Sequence, residues 1–267
     1  KRLFRTIPVK SFQGMTKAFI KVQTGCDEKC SFCTVVRARG RSVSDDRGNI
    51  LKNIRQAVYS GFKEITLTGI NLGTWGMDRG EKFSSLVHDI VQIPGNFRVR
   101  LSSINPMEID NDSIRLIAET EKICSHLHIP LQSGSNKILK SMRRRYTREE
   151  YIEAIEGVRA KVPNATITTD VIVGYPFETD QDFRLTTEIC DRVRFADVHV
   201  FKYSARPGTS ARYFDDSVPS HIKSERSRKL IDLSRKHSCE FRRESVGQEA
   251  KVLWEKYDSC ILTKKKI

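Results

Sequence analysis

No stretch of this sequence approaches the ~18 consecutive apolar residues of a membrane span, and 38% of its 267 residues are hydrophobic against 30% charged. That excludes a helical membrane protein and fits a soluble globular one. The start, Lys1-Arg2-Leu3-Phe4-Arg5, is basic, but no apolar signal core follows it. It also carries no initiator Met, so a piece of a longer protein is expected. Acid is scarce: 33 Asp and Glu face 47 Lys and Arg, a formal net charge of +14. Such an excess suggests a polyanionic partner, RNA first, although a merely basic soluble protein has the same composition. There is no cysteine before Cys26, and Cys124, Cys190, Cys239 and Cys260 form no paired disulfide framework. Unpaired thiols fit a reducing, cytoplasmic setting. No Ser/His/Asp arrangement for nucleophilic catalysis is evident either.

What is present is concentrated in Gly25-Cys26-Asp27-Glu28-Lys29-Cys30-Ser31-Phe32-Cys33, which holds three of the seven cysteines at C-x3-C-x2-C spacing. Three thiols on so short a loop can face one centre. A cubane iron–sulfur cluster normally takes four thiolates, so three would leave one iron open for a substrate. On spacing alone two other readings stand: a structural zinc knuckle completed by a distant residue such as His126 or His128, or a chance grouping.

Periodicity places this loop. A short strand over 18–23 leads into it, which puts it at the strand's C-terminal end, where active sites of α/β sheets lie. Ile50, Ile54, Ala57 and Val58 keep helical spacing and stop at Gly61. Strands follow over 64–68, at Phe97, Val99 and Leu101, at Leu127, Ile129 and Leu131, over 166–173 and over 197–203. Between them lie a stripe at Phe83, Leu86, Val87, Ile90 and Val91, a helix capped by Asp110, and a short helix at Ile138, Leu139 and Met142. Further helices open at the capping pairs Thr147/Glu150 and Thr179/Asp182, and Cys190 lies on the buried face of the second. Six alternations of strand and helix argue for an α/β fold with a parallel sheet and helical crossovers. After Pro219 a basic helix runs to about Glu244; its Lys223, Arg226, Lys229, Arg235 and Lys236 read as a solvated face. A strand is expected over 248–254.

At this level of detail the text resembles a known family. Cys26, Cys30 and Cys33, with Phe32 before the last, look like the signature of radical S-adenosylmethionine (SAM) enzymes. Leu67-Thr68-Gly69-Ile70-Asn71-Leu72-Gly73, Leu101-Ser102-Ser103 and His126-Leu127-His128-Ile129-Pro130-Leu131-Gln132-Ser133-Gly134-Ser135 resemble methylthiotransferases. So do Met142-Arg143-Arg144, Thr169-Asp170-Val171-Ile172-Val173-Gly174-Tyr175-Pro176 and Tyr203-Ser204-Ala205-Arg206-Pro207-Gly208-Thr209. The resemblance covers roughly 18–245 and favours the branch acting on threonylcarbamoyladenosine in tRNA. Sister branches act on isopentenyladenosine in tRNA or on a ribosomal-protein aspartate; a non-enzymatic, zinc-holding RNA-binding remnant is the alternative of another class.

The resemblance implies a partial (β/α)6 barrel over 18–217, an entry arm at 1–17, a C-terminal basic helix at 218–245, and the truncated start of a small β domain (TRAM) at 246–267. It implies a [4Fe–4S] cluster on Cys26, Cys30 and Cys33 with SAM at its open iron. A second [4Fe–4S] cluster is expected only on a missing N-terminal domain. Implied SAM contacts are Phe32, Thr68, Gly69, Asn71, Ser103, Gln132, Ser133, Arg143 and Asp170, with plain packing the other reading for Phe32 and a buried hydrogen-bond anchor the other for Asp170. Arg37, Arg39 and Arg41, at alternate positions of what reads as an extended loop, are expected either to point together at RNA phosphates or to form a merely solvated loop, with Arg144 and Arg145 in a similar role. Partners are tRNA and a flavodoxin- or ferredoxin-like electron donor, with the protein a cytoplasmic monomer. Thr24, Phe177 and Lys202 depart from the family pattern, and Phe177 stands where a glycine is usual.

Overall fold

The structure, a computed structural model, describes residues 16–215 and 217–254. Cys260, most of the arm at 1–17 and the end of the 246–267 segment fall outside them. β1 (Lys17–Lys21) leads through β2 (Gln23–Thr24) into the cysteine loop, followed by α1 (Val35–Arg39) and β3 (Val43–Ser44). Then come α2 (Arg47–Tyr59), β4 (Glu64–Thr68), α3 (Phe83–Val91), β5 (Arg98–Leu101), α4 (Asn111–Glu119) and β6 (His126–His128). The chain continues with α5 (Asn136–Ser141), α6 (Arg148–Lys161), β7 (Thr166–Val173), α7 (Asp180–Val193), β8 (Asp197–Lys202) and α8 (Ser220–Glu244).

Six of these strands run parallel. β1 pairs with β4 and β4 with β5; β6 pairs with β7 and β7 with β8. Parallel bridges Val99–Ile123 and Ser103–His128 join the two groups. The order is therefore β1-β4-β5-β6-β7-β8, with a helical crossover between successive strands. Among the described residues β8 does not pair with β1, so the barrel is open. This is the expected α/β barrel of six units. β2 and β3 form a separate antiparallel pair.

Period-2 alternation assigns the two faces of each strand. In β7, Ile167, Thr169, Val171 and Val173 are buried, while Thr166, Thr168, Asp170 and Ile172 alternate with them. The buried face joins Leu67, Val99, Leu127, Ile155 and Leu86 in one core, each such side chain contributing roughly 1.5–3 kcal/mol. Capping holds where the sequence placed it: Asp110 accepts from Ser113, and Thr147 and Thr179 form capping boxes with Glu150 and Asp182. Cys190 is buried in the core.

Three expectations need correction. The strand at Leu127, Ile129 and Leu131 stops early, at His128. Ile129 N still donates to Thr168 O, but Pro130 has no N–H to offer, and the Tyr146 hydroxyl donates to Pro130 O and Leu131 O instead. The strand over 248–254 is absent from the described residues. A strand requires a backbone partner, and this segment meets side chains: Arg98 donates to Lys251 O at 3.1 Å, and Lys251 pairs with Glu121. Finally, α8 is not uniformly wet. Leu230 is fully buried against the core, the Ser234 hydroxyl accepts from Val198 N of β8, and Arg226 is only 6% exposed.

Candidate active site

The cysteine loop leaves the C-terminal end of β1 under tight backbone control. Gly25 has φ +73°, and a Cβ there would lie 2.0 Å from the Arg41 carbonyl oxygen, so no other residue fits. Cys26 N donates to Gly40 O at 3.1 Å, closing the loop's base. Gln23, 1% exposed, ties this base to the loop after β4. Its Nε2 donates to Gly25 O and Ser42 Oγ, and its Oε1 accepts from Ile70 N and Asn71 N. Ser31 does the same on the other side. Its hydroxyl donates to Ser141 O and lies 2.7 Å from the Tyr175 hydroxyl, and Ala211 N donates to its carbonyl. Phe32 packs with Met142, Tyr175 and Ile172. Gln23, Ser31 and Tyr175 were missed by sequence reasoning. Only Gln23 offered a signal, as a polar residue at the end of an apolar strand.

Each of the three thiols has its own donor. Glu28 N lies 3.4 Å from Cys26 Sγ, Val35 N 3.4 Å from Cys33 Sγ, and Arg144 Nη1 3.4 Å from Cys30 Sγ. Burial pushes the Cys26 thiol up to about 11, against the Glu28 N–H, and the neighbouring Cys30 and Cys33 add to the rise. Burial also raises Cys30, against the Arg144 charge. The three sulfurs therefore sense one another. The distant histidines of the zinc reading are engaged elsewhere: His126 Nε2 contacts Thr168 Oγ1, and His128 Nε2 pairs with Asp170 at 3.1 Å.

The residues expected around SAM divide into two groups. Thr68 and Gly69 at the end of β4, Ser103 beyond β5 and Gln132 beyond β6 gather at the same edge as the cysteine loop. Gln132, at φ 64°, bridges to Val171 of β7. Arg143, also left-handed at φ 58°, ends α5 and is exposed near Tyr175. The others are held by the framework. Asn71 is 4% exposed and donates to Glu108 Oε1 at 2.7 Å, and fully buried Ser133 accepts from Ser135 N. Asp170 lies deeper in β7, between two imidazoles: His128 Nε2 and His199 Nδ1 each approach one of its oxygens at 3.1 Å. The two rings stack at 5.3 Å. Burial alone would raise the Asp170 carboxyl, and the two histidines hold it below its ordinary value. Burial, with Arg100 nearby, lowers His126 to about 4.

The arginines are not arranged as expected. Residues 35–39 form α1, not an extended loop, so Arg37 and Arg39 diverge by the helical pitch. The Arg37 guanidinium crosses Gly208, and exposed Arg41 pairs with Asp27 at 2.9 Å. Arg145 pairs with Glu28 at 3.1 Å. Arg144 does not stand on the outer surface with Arg145 but is half-buried behind the cysteine loop.

With this geometry in view, comparison with known proteins gives a consistent answer. The sequence matches the Radical SAM superfamily over residues 20–190. Threonylcarbamoyladenosine tRNA methylthiotransferase MtaB of Thermotoga maritima is 40% identical over 248 residues, covering 92% of this chain and 57% of that protein. tRNA-2-methylthio-N(6)-dimethylallyladenosine synthase of Carboxydothermus hydrogenoformans is 41% identical over 251 residues, covering 93% of this chain and 57% of that protein. This chain thus spans little more than half the length of these curated relatives. Among solved structures, the radical SAM methyltransferase TsrM of Kitasatospora setae, with cobalamin and a [4Fe–4S] cluster bound, superposes with TM-score 0.61 at 16% identity, covering 73% of this chain and 38% of that one. HemN of Escherichia coli, a coproporphyrinogen III oxidase, gives TM-score 0.60 at 15% identity, covering 84% and 53%. Those two share the fold. The sequence match runs from β1 into α7, through the strands and loops that assemble the thiols, and on that ground this chain belongs to the radical SAM superfamily.

Proposed function

We propose that the chain is the catalytic barrel of a radical SAM tRNA methylthiotransferase that adds a methylthio group at carbon 2 of threonylcarbamoyladenosine. One observation carries the reading: three thiols on one loop at the C-terminal mouth of a parallel barrel, each with its own N–H donor. In this reading Cys26, Cys30 and Cys33 hold a [4Fe–4S] cluster, which when bound supplies the electron that cleaves the SAM sulfonium bond. The protein binds, orients and excludes. Gln23, Ser31 and Tyr175 fix the loop, while Thr68, Gly69, Ser103 and Gln132 line the mouth, with Arg143 at its rim for the SAM carboxylate. No side chain is required as a general base.

Identity does not choose between the two tRNA substrates, since relatives of both names match equally well. The barrel interior supports the threonylcarbamoyl one. Thr168, Asp170, His128 and His199 make a polar cluster beneath the mouth, suited to a group bearing hydroxyl and N–H donors and not to an aliphatic one. The same reading takes tRNA and a flavodoxin- or ferredoxin-like donor as partners and a cytoplasmic monomer as the working form. Its sulfur-donating second cluster belongs to a domain outside these 267 residues. No helix of the described residues is long and apolar enough to cross a membrane.

Anaerobic reconstitution tests this. About four irons and four sulfides per chain should bind, and a strong reductant should then yield 5′-deoxyadenosine slowly. On tRNA carrying threonylcarbamoyladenosine, residues 1–267 alone should make no methylthiolated nucleoside. Changing Cys26, Cys30 or Cys33 to Ala should abolish cleavage. One zinc per colourless chain, or a cysteine variant with full cleavage, overturns the assignment.

A further inference from the structure

Arg144 reaches its place because α5 ends abruptly. Arg143 turns left-handed, and Arg144 N donates back to Leu139 O at 2.9 Å. The side chain is thereby sent behind the cysteine loop, where its planar fork is shared out among three acceptors. Nη2 donates to Asn105 Oδ1 at 2.5 Å, Nε to the Tyr146 hydroxyl at 3.1 Å, and Nη1 to Cys30 Sγ at 3.4 Å. Tyr146 is itself buried and anchored on Pro130 O at 2.7 Å, and its ring centroid lies 4.8 Å from the guanidinium carbon. A surface arginine seeking phosphate would not be tethered in this way. Nor are the three cysteines equivalent: Cys26 and Cys33 receive neutral backbone N–H groups, and only Cys30 receives a charged donor among the described residues.

We propose that Arg144 is a positioning residue for the cluster ligand Cys30, and that its guanidinium sets the potential at which the site accepts its electron. The inference rests on the cluster reading above. Hydrogen bonds to ligand sulfur and local net charge govern the potential of an iron–sulfur site, and charge-assisted bonds are roughly twice as strong as neutral ones. One-electron reduction adds negative charge to the cluster. A cation held at Cys30 favours that state and raises the midpoint. Lysine keeps the charge but cannot hold Asn105, Tyr146 and Cys30 together, because its ammonium is a point charge on a flexible stem.

The test compares reconstituted wild type, Arg144→Gln and Arg144→Lys by dithionite titration monitored by electron paramagnetic resonance, with iron content and melting temperature measured on the same samples. Arg144→Gln should keep its iron and show a more negative midpoint and a changed spectrum of the reduced cluster. Arg144→Lys should fall between it and the wild type. If Arg144→Gln does not fold, the Lys variant decides alone: a midpoint equal to wild type overturns the inference. Lower melting temperatures with unchanged midpoints in both variants would reduce Arg144 to a structural tether. A wild-type chain that takes up no iron overturns the function itself and this inference with it, whereas a loaded wild type with unmoved variants overturns the inference alone.

Discussion

Arg226 Nη1 of α8 lies 2.7 Å from Glu178 Oε2 in the turn between β7 and α7, with side-chain exposures of 7% and 1%. The same carboxylate oxygen accepts from Gly174 N at 2.7 Å, beside the Tyr175 that holds Ser31 of the cysteine loop. A buried ion pair thus links the last helix to the support of the candidate active site.

Arg226→Ala should strand the buried Glu178 and destabilise the fold by about 3–5 kcal/mol, as removal of one partner of a buried pair does. The double change Arg226→Met with Glu178→Gln should cost less, because no uncompensated charge remains. Urea denaturation of the wild type and both variants measures this. A loss below about 1 kcal/mol in Arg226→Ala would place the pair with ordinary surface contacts.

Asp182 predicts an acid limb. It accepts from the Ser135 hydroxyl, Thr179 N and Lys137 Nζ. Burial works against its charge, but these donors bring its pKa from 3.8 down to about 2. A depressed carboxyl contributes stability that is full above the unfolded value and fades as pH falls through the folded one. Between pH 4 and pH 2 the wild type should therefore lose stability more steeply than Asp182→Asn. Unfolding free energies across that range decide it, and parallel slopes would exclude Asp182 as a source of the limb.

Phe177 carries φ 68°, a conformation that costs a side chain about 1–2 kcal/mol. Its ring is 37% exposed and meets Phe214 at a centroid distance of 5.5 Å. Phe177→Gly should leave the melting temperature equal or higher, as relieved strain offsets the lost ring contact. A clear drop would mean that the contact with Phe214 outweighs the strain.

Binding of tRNA should weaken with salt as phosphate contacts release counterions. Replacing Arg37, Arg39 and Arg41 together by Ala should lower affinity and flatten the slope of log K against log salt. Because α1 separates Arg37 from Arg39 and Arg41 is paired with Asp27, the three single changes should have unequal effects. An unaltered slope in the triple variant would make this a merely solvated segment.

Local signals account for what could be read in advance. The β-branched run at 166–173, the capping pairs Thr147/Glu150 and Thr179/Asp182 and the stripe from Phe83 to Val91 place their elements closely, because propensity and caps act within a few residues. The spacing of Cys26, Cys30 and Cys33 brought three thiols to one short loop, and the wider family resemblance, not the spacing, chose a cluster over zinc or chance. Alternation of strand and helix six times determined a parallel α/β fold.

Tertiary packing decided the rest. Whether an arginine meets RNA, water or a buried carboxylate depends on what lies across from it, and that partner is far away in sequence. Arg226 finds Glu178 and Arg144 finds Cys30, at separations of 48 and 114 residues. Neither meeting leaves a local trace, because a basic residue on a helix or after a cap reads the same whether its face is wet or covered. Asp170 became the centre of a histidine pair only when β6, β7 and β8 came into register, and Gln23 meets Ile70 N and Asn71 N only because β1 and β4 end side by side. The sequence alone determined the fold class through short-range periodicity, and the thiol chemistry through spacing together with resemblance to a known family. Burial and long-range pairing determined which charges serve the site.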